Sequence, residues 1–187
     1  MRNVTTAGIQ EIANRADRLY SDTQVEAAID KLAEQISAQL CIKNPIVLCV
    51  MNGGLILCGN LLTRLNFPLQ IDTIQVSRYQ ERTTGSELQW NSYPTLELKE
   101  RTVLIVDDIF DEGATMEAIV KYCKGEGAVE VCTAVLVNKV HDRKLTEMKT
   151  DFVGLEVVDR YLFGYGMDYK GYLRNAKGIF AIADEDK

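Results

Sequence analysis

The strongest constraint on the fold is the alternation of short apolar runs with segments of helix length. Apolar runs typical of buried strands occupy residues 46–51, 71–77, 103–106, 129–137, 152–158 and 179–182. Residues 55–65 predict a helix after the first run, and residues 116–124, closed by Gly125 and Gly127, predict another after the third. This order predicts an α/β fold, with a central parallel sheet covered by helices on both faces.

The segment before the first apolar run predicts an amphipathic helix. Its apolar residues recur at steps of three and four, at Val25, Ala28, Ile29, Leu32, Ile36 and Leu40. Thr23 and Glu26 have the spacing of a capping box, which predicts that the helix begins near Thr23.

The polar segment 78–93 interrupts this alternation. Arg, Glu, Thr, Gly and Ser dominate it, and Leu88 and Trp90 are the apolar residues that break its polarity. A segment of this kind is typical either of a functional lid or of a surface hairpin, and both interpretations stay open at this point.

Size and charge limit the classes of function. The chain of 187 residues, with 47% apolar composition, predicts one domain over residues 1–187 with a sizeable core. Its net charge of −6 offers no general attraction to nucleic-acid phosphates, so we expect no nucleic-acid partner. Five cysteines without a C-x-x-C pair indicate reduced thiols in a cytoplasmic protein.

Residues 44–63 carry no charge over 20 positions, which is long enough for a membrane span. Proline, glycine and asparagine interrupt the stretch, at Pro45, Asn52, Gly53, Gly54 and Asn60. We therefore expect a buried strand, a tight turn and a buried helix instead of a membrane helix. The polar sequence after Met1 likewise predicts no export signal.

The segment 103–115 carries the clearest chemical pattern. Its apolar run ends in Asp107 and Asp108, and the carboxyl ends of parallel strands are where ligands bind. The following Gly113-Ala114-Thr115 predicts a turn whose N–H groups and hydroxyl converge on an anion. Carboxylates beside a phosphate suggest a phosphorylated sugar, because they can hold hydroxyls or a cation. From these residues alone, an acidic helix start favoured by the helix dipole is the alternative.

Other nucleotide and phosphate motifs do not fit the sequence. The pattern G-x-x-x-x-G-K-[ST] is absent, and Gly164-Tyr165-Gly166 is followed by Tyr169 where a dinucleotide fingerprint needs glycine. The run 103–108 is also similar to the first strand of a receiver domain, but only 79 residues follow Asp108. That remainder is too short for the rest of a receiver domain.

The run VLIVDDIFDEGATM at 103–116 resembles the phosphoribosyl-pyrophosphate (PRPP) binding motif of type I phosphoribosyltransferases. Four further segments resemble the hypoxanthine-guanine subfamily: CVMNGG at 49–54, SRYQERTTG at 77–85, AVLVNK at 134–139 and DFVGLEVVDRYLFGYGMDYKGYLRNA at 151–176. The resemblance implies the type I fold, with a small hood formed by terminal segments. It also implies transfer of 5-phosphoribose from PRPP to hypoxanthine or guanine with Mg²⁺, by a homodimer or homotetramer.

The resemblance also implies which residues bind PRPP. Asp107 and Asp108 match the acids that hold the ribose hydroxyls, directly or through Mg²⁺. The 5-phosphate cradle matches five consecutive residues, Asp111, Glu112, Gly113, Ala114 and Thr115. The pyrophosphate side matches Asn52, Gly53, Arg78, Tyr79 and Arg174.

A second group of residues matches the purine site. Asp111 matches the proton acceptor beside N7, and Lys139 matches the donor to the exocyclic O6. Tyr161 matches the stacking aromatic, the backbone of Leu162 matches the purine edge, and Asp168 matches an acid near Mg²⁺ and the base. Taken singly, Lys139 could be a solvated lysine, Tyr161 a core residue and Arg174 a surface ion pair. His141 lies in a polar stretch and is expected to be a solvated loop residue without a role.

Two departures from the family pattern lead to a prediction. Many relatives have lysine where Asn52 stands, and a Ser-Tyr pair where this chain has Arg78-Tyr79. We hypothesise that Arg78 replaces the missing positive charge near pyrophosphate. The variant Arg78→Ala should then raise the KM for PRPP, and an unchanged KM in steady-state kinetics would refute the hypothesis.

Two other functions remain open. A PRPP-sensing regulator would keep the sugar-phosphate site without catalysis, but such proteins generally add a basic face or winged helix. The presence of Asp111, Lys139 and Asp168 favours the enzyme. A preference for xanthine would depend on the backbone around Leu162 and Asp168, which the sequence does not determine.

Overall fold

The computed structural model describes residues 5–78 and 88–186 of the chain. Its helices are α1 (Thr6–Arg15), α2 (Asp22–Leu40), α3 (Leu55–Leu62) and α4 (Ala114–Gly125), with a 3-10 turn at Asp184–Asp186. Its strands are β1 (Asp17–Ser21), β2 (Ile46–Met51), β3 (Gln70–Arg78), β4 (Leu88–Ser92), β5 (Thr102–Phe110), β6 (Glu130–Val140), β7 (Phe152–Val158), β8 (Leu162–Phe163) and β9 (Gly178–Ala181).

The main sheet has six strands in the order β4-β3-β2-β5-β6-β7. All neighbours from β3 to β7 are parallel, and only β4, at one edge, pairs antiparallel. The central parallel sheet predicted from the sequence is therefore confirmed. Its strands are apolar throughout because both faces are covered.

The two faces of the sheet pack against different helices. Val47 and Leu104 face one core cluster together with residues of α2 and α3. Leu48 and Ile105, one position further along each strand, face a second cluster that includes Ile119 of α4. This alternation follows from the two-residue period of a strand, and it fixes the register of β2 and β5.

The terminal segments form a second, smaller sheet. Its order is β1-β9-β8, all antiparallel, so that a strand before α2 pairs with the last strand of the chain. Helix α1 packs beside this sheet through Ile9, in a cluster with Phe163, Tyr169 and Ile182. These segments correspond to the predicted hood.

Helix α2 begins earlier than the sequence pattern predicts. Its N-cap is Ser21, whose hydroxyl accepts the Gln24 N–H at 3.3 Å, while the Gln24 side chain accepts the Ser21 N–H at 2.9 Å. The predicted Thr23–Glu26 box is therefore wrong. Glu26 instead accepts hydrogen bonds from Arg64 at 2.6 Å and from the Tyr165 hydroxyl at 2.7 Å.

The polar segment 78–93 contains strand β4, which returns antiparallel to β3. The hairpin interpretation is thus supported for the part of the segment that is described. Residues 79–87, which include Tyr79, lie outside the described residues, and the lid interpretation remains a prediction.

The uncharged stretch 44–63 folds as expected, into β2, a turn and α3. Over residues 5–78 and 88–186, the structure contains no helix that combines the length and apolar character needed to cross a membrane. All five cysteines are free thiols, and four of them are buried, while Cys41 is exposed.

Candidate active site

Predicted site residues from β2, β5, β6 and the segment after β7 gather around two cavities at the carboxyl ends of β2, β5 and β6. A cavity of about 340 Å³ lies between the turn after β2, the segment from Asp107 to Thr115, and the side chains of Asp168 and Arg174. A second cavity of about 290 Å³ adjoins it and is lined by Lys139, Tyr161 and Leu162. Asp108, Ile109, Asp111 and Asp168 border both cavities, so the two together can hold a ligand of two parts.

The acidic pair lies inside a strand, not after it. Strand β5 was expected to end at Val106, but it continues to Phe110 because Asp107, Ile109 and Phe110 still pair with β6. Asp107 and Asp108 are both buried. Burial raises the pKa of both carboxyls, and repulsion by Asp108 raises that of Asp107 further. Such a pair favours a cation or hydroxyl donors in the cavity beside it.

The turn into α4 has the geometry of an anion site. Gly113 adopts a left-handed conformation with φ of 87°, and α4 begins at the next residue. The first N–H groups of an α-helix have no intrahelical partners, so those at Ala114 and Thr115 are available to an anion. A side chain at Gly113 would collide with Phe110 and Thr146. The predicted cradle is therefore present as a backbone feature.

Lys144, which sequence reasoning did not single out, supports this turn from behind. Its ammonium group donates to the backbone oxygens of Phe110 at 3.0 Å and Asp111 at 2.6 Å, and to the side chain of Asn138 at 3.2 Å. The carbonyl groups of the turn are thus bound on one side. Gly113 and Thr115, at the end of this turn, line the larger cavity.

The turn after β2 contacts the acidic pair directly. Asn52 and Gly53 line the larger cavity, and the peptide bond between Met51 and Asn52 is cis. A Cβ atom at Gly53 would overlap the carboxylate of Asp108. Any other residue at this position would therefore have to displace the Asp108 carboxylate.

The variant Gly53→Ala should displace Asp108 and lower kcat/KM for PRPP by roughly 10- to 100-fold, because small misplacements of site groups have effects of this size. Gly59→Ala in α3 is a matched control, since a Cβ atom there meets nothing within 4 Å. Steady-state kinetics on both variants would check this. Equal activity of the two variants would contradict the importance of the contact.

Asp168 and Arg174 form a pair at the rim of the larger cavity. The guanidinium group of Arg174 lies 2.6 Å from the Asp168 carboxylate and also donates to the backbone oxygen of Gly166 at 2.5 Å. The second Asp168 oxygen accepts the N–H of Gly171 at 2.6 Å. Arg174 does make an ion pair, but it does so at the cavity and not on a remote surface.

Lys139 is buried at the second cavity, with 8% of its surface exposed. Its ammonium group donates to Asp111 Oδ2 at 3.0 Å and lies 3.6 Å from Asp159 Oδ1. A merely solvated lysine is therefore excluded. Tyr161 is 43% exposed, so it is not a core residue. Its ring packs edge-on against the ring of Tyr169, with 5.7 Å between the ring centroids.

His141 contradicts the sequence-based expectation. Its side chain is only 5% exposed, and Nε2 lies 2.7 Å from Asp111 Oδ1. The expectation of a solvated loop residue is wrong because the Asp111 carboxylate lies within reach of β6 and the residues just after it. Burial by itself would raise the pKa of Asp111, but hydrogen bonds from Lys139 and His141 hold it below its usual value.

The pyrophosphate residues of the polar segment are described only in part. Arg78 is the last residue of β3, and Tyr79 lies outside the described residues. Their proposed contacts with pyrophosphate remain predictions.

Comparison with known proteins places this arrangement in a family. Residues 15–170 match the family model described as the phosphoribosyl transferase domain. The hypoxanthine-guanine-xanthine phosphoribosyltransferase of Tritrichomonas foetus is 30% identical over 159 residues, covering 84% of this chain and 86% of that protein. The hypoxanthine-guanine phosphoribosyltransferase of Bacillus subtilis (strain 168) is 28% identical, covering 84% and 87%.

Solved structures agree with this assignment. A hypoxanthine-guanine-xanthine phosphoribosyltransferase superposes with a TM-score of 0.82 at 27% identity, covering 90% of this chain and 97% of the other. A hypoxanthine phosphoribosyltransferase from Staphylococcus aureus has the same fold, with a TM-score of 0.87 at 22% identity and coverage of 97% and 98%. The chain therefore belongs to the type I phosphoribosyltransferases, in their hypoxanthine-guanine subfamily.

Proposed function

We propose that this purine salvage enzyme transfers 5-phosphoribose from PRPP to hypoxanthine or guanine, which yields IMP or GMP and pyrophosphate. The observation that carries this proposal is the pair of adjoining cavities that meet at Asp111. One has an anion-binding turn and buried acids, as a sugar phosphate requires. The other has a buried ammonium group and an exposed aromatic ring, as a purine requires.

In the larger cavity, the 5-phosphate is held by the backbone N–H groups from Gly113 to Thr115 and by the Thr115 hydroxyl. The ribose hydroxyls face Asp107 and Asp108. Breaking the bond at C1′ develops positive charge on the sugar, as in glycoside cleavage, and nearby carboxylates stabilise that charge. The released pyrophosphate faces Gly53 and Arg174, and we assign Asn52, Arg78 and Tyr79 to the same group.

The donor set fits Mg²⁺. Asp107, Asp108 and Asp168 place carboxylate oxygens around one cavity, and Mg²⁺ prefers carboxylate oxygens together with substrate phosphates. The fit is also electrostatic, because the buried Asp107 and Asp108 repel each other. These three residues would hold the ion, which supplies charge neutralisation for the departing pyrophosphate.

In the second cavity, the base stacks on Tyr161 with its edge toward the backbone of Leu162. Asp111 accepts the proton of N7, and Lys139 donates to O6. An ammonium group has donors only, whereas adenine presents an amino group at this position. The site therefore selects 6-oxopurines over adenine.

A spectrophotometric assay tests the proposal with PRPP, Mg²⁺ and each of adenine, hypoxanthine, guanine and xanthine. We expect turnover with hypoxanthine, guanine or both, and none with adenine. Turnover of adenine would overturn the role of Lys139, and turnover of xanthine alone would shift the substrate preference. A protein that binds PRPP but converts no base would instead be a regulator.

We also propose that the enzyme is cytoplasmic and works as a homodimer or homotetramer, as is usual for type I relatives. Light scattering coupled to size-exclusion chromatography would distinguish these states, and a monomer at micromolar concentration would contradict the assembly.

A further inference from the structure

A cluster of side chains behind Asp111 has no part in the proposed chemistry so far. It consists of His141, Arg143 and Asp159, which follow strands β6 and β7. Arg143 binds Asp159 through two nitrogens, at 2.7 and 3.1 Å, and Glu112 at 3.2 Å. The segment after β6 is thereby attached to the phosphate turn and to the end of β7.

The hydrogen bonds of His141 define where its ring carries a proton. The backbone N–H of Arg143 donates to Nδ1 at 3.0 Å, so Nδ1 is an acceptor and has no proton. The proton of the ring is therefore on Nε2, which lies 2.7 Å from Asp111 Oδ1. His141 is thus a donor to the carboxylate, and its own orientation is set by the backbone.

The other carboxylate oxygen of Asp111, Oδ2, has a different hydrogen-bond donor. Oδ2 accepts from Lys139 at 3.0 Å, and Lys139 is also the residue assigned to the O6 of the base. When a purine enters, Lys139 must direct one of its three donors to O6, and Oδ2 must offer a lone pair to the N7 proton, so the contacts of both groups change. The bond from His141 to Oδ1 is the one that can persist through this exchange, because His141 contacts neither O6 nor N7 in this arrangement.

A metal ion does not explain the cluster. Asp111, His141 and Asp159 have ligand atoms within 4.8 Å of one another, a spacing compatible with a cation. The positive charges of Lys139 and Arg143 already lie against both carboxylates. The ring nitrogen that faces Asp111 also carries a proton, and so it cannot ligate a metal.

We propose that His141 is a positioning residue that holds Asp111 Oδ1, so that Oδ2 stays directed at the N7 position while Lys139 donates to O6. This inference rests on the proposed function for its catalytic consequence, but the hydrogen bond itself can be tested without activity. His141 acts through Asp111 and does not touch the substrate.

The direct test is nitrogen-15 NMR of the imidazole ring, since His141 is the only histidine of the chain. At about pH 8.5 we expect the proton of the ring on Nε2, both in free enzyme and with IMP bound. A proton on Nδ1, or a ring that averages between tautomers, would overturn the proposal. This result does not depend on whether the enzyme turns over any base.

Kinetics of variants tests the consequence for catalysis. His141→Leu should lower kcat about tenfold, which is less than the loss expected when the general base itself is removed. The KM for PRPP should change less than about twofold. His141→Gln should recover part of this loss, because its amide can still donate to Oδ1. Asp142→Asn, at the exposed neighbouring position, is the control and should retain wild-type kcat.

Unchanged kcat in His141→Leu, or equal losses in the Leu and Gln variants, would contradict the positioning role, provided that circular dichroism shows folded protein. A rise confined to the KM for PRPP would also contradict it, because that pattern indicates a general disturbance of the phosphate turn. If wild-type enzyme converts no purine, the proposed function fails, and the NMR result still decides the hydrogen bond.

Discussion

Replacing Asp111 by asparagine should lower kcat by about 10²- to 10⁴-fold, the usual contribution of a positioned general base. The amide has nearly the shape of the carboxylate, but it cannot take the N7 proton. The KM for PRPP should change little, because the backbone of the turn, and not this side chain, holds the phosphate. Pre-steady-state and steady-state kinetics with hypoxanthine would measure both effects.

The control for this variant is Glu117→Gln, the same chemical change in the first turn of α4, where Glu117 pairs with Lys121 on the surface. It should retain wild-type kcat. If Asp111→Asn keeps kcat within about threefold of wild type, Asp111 is not the proton acceptor. The low pKa of Asp111, held by Lys139 and His141, keeps this group ionised at neutral pH.

Replacing Lys139 by glutamine should narrow the discrimination against adenine by about 10³-fold. Sites that hydrogen-bond a substrate group reject a mismatched analogue by about 10⁴- to 10⁵-fold, and we expect a preference of this order for hypoxanthine in the wild type. Glutamine offers both a donor and an acceptor, so its side-chain oxygen can also accept a hydrogen bond from the amino group of adenine. The ratio of kcat/KM for hypoxanthine and adenine is the measurement.

Lys149→Gln makes the same change at an exposed position and should leave this ratio unchanged. Thermal melting should accompany the kinetics, because Lys139→Gln leaves the Asp111 and Asp159 carboxylates without the ammonium group between them. A Lys139→Gln enzyme that is folded and rejects adenine as strongly as wild type would show that specificity arises elsewhere.

The main sheet was predictable because its strands are apolar on both faces. Residues such as Leu104 and Ile105 are buried on opposite faces, as in a sheet covered on both sides, and the alternation of strands with helices indicates that this sheet is parallel. Strand β1 was not predicted, since its five residues are mostly polar and partly exposed. Its pairing partner β9 lies more than 150 residues later, so no local pattern marks it.

The candidate site also contains residues that the sequence predicts and residues that it does not. The acidic pair and the glycine turn are contiguous in sequence, so their chemistry can be read from one segment. His141 lies 30 residues after Asp111, and it is brought there only by the pairing of β5 with β6. Lys144 reaches the site by the same route, and Asp159 by the pairing of β6 with β7. Single positions of this kind give no local signal.

The central claim is that the turn from Gly113 to Thr115 binds the 5-phosphate while the neighbouring acids hold the sugar. A crystal structure of the enzyme with IMP tests it most directly. We expect the phosphate of the nucleotide against the N–H groups of Gly113, Ala114 and Thr115, with the ribose hydroxyls facing Asp107 and Asp108. A nucleotide whose phosphate lies anywhere else in the cavity would contradict this account of the site.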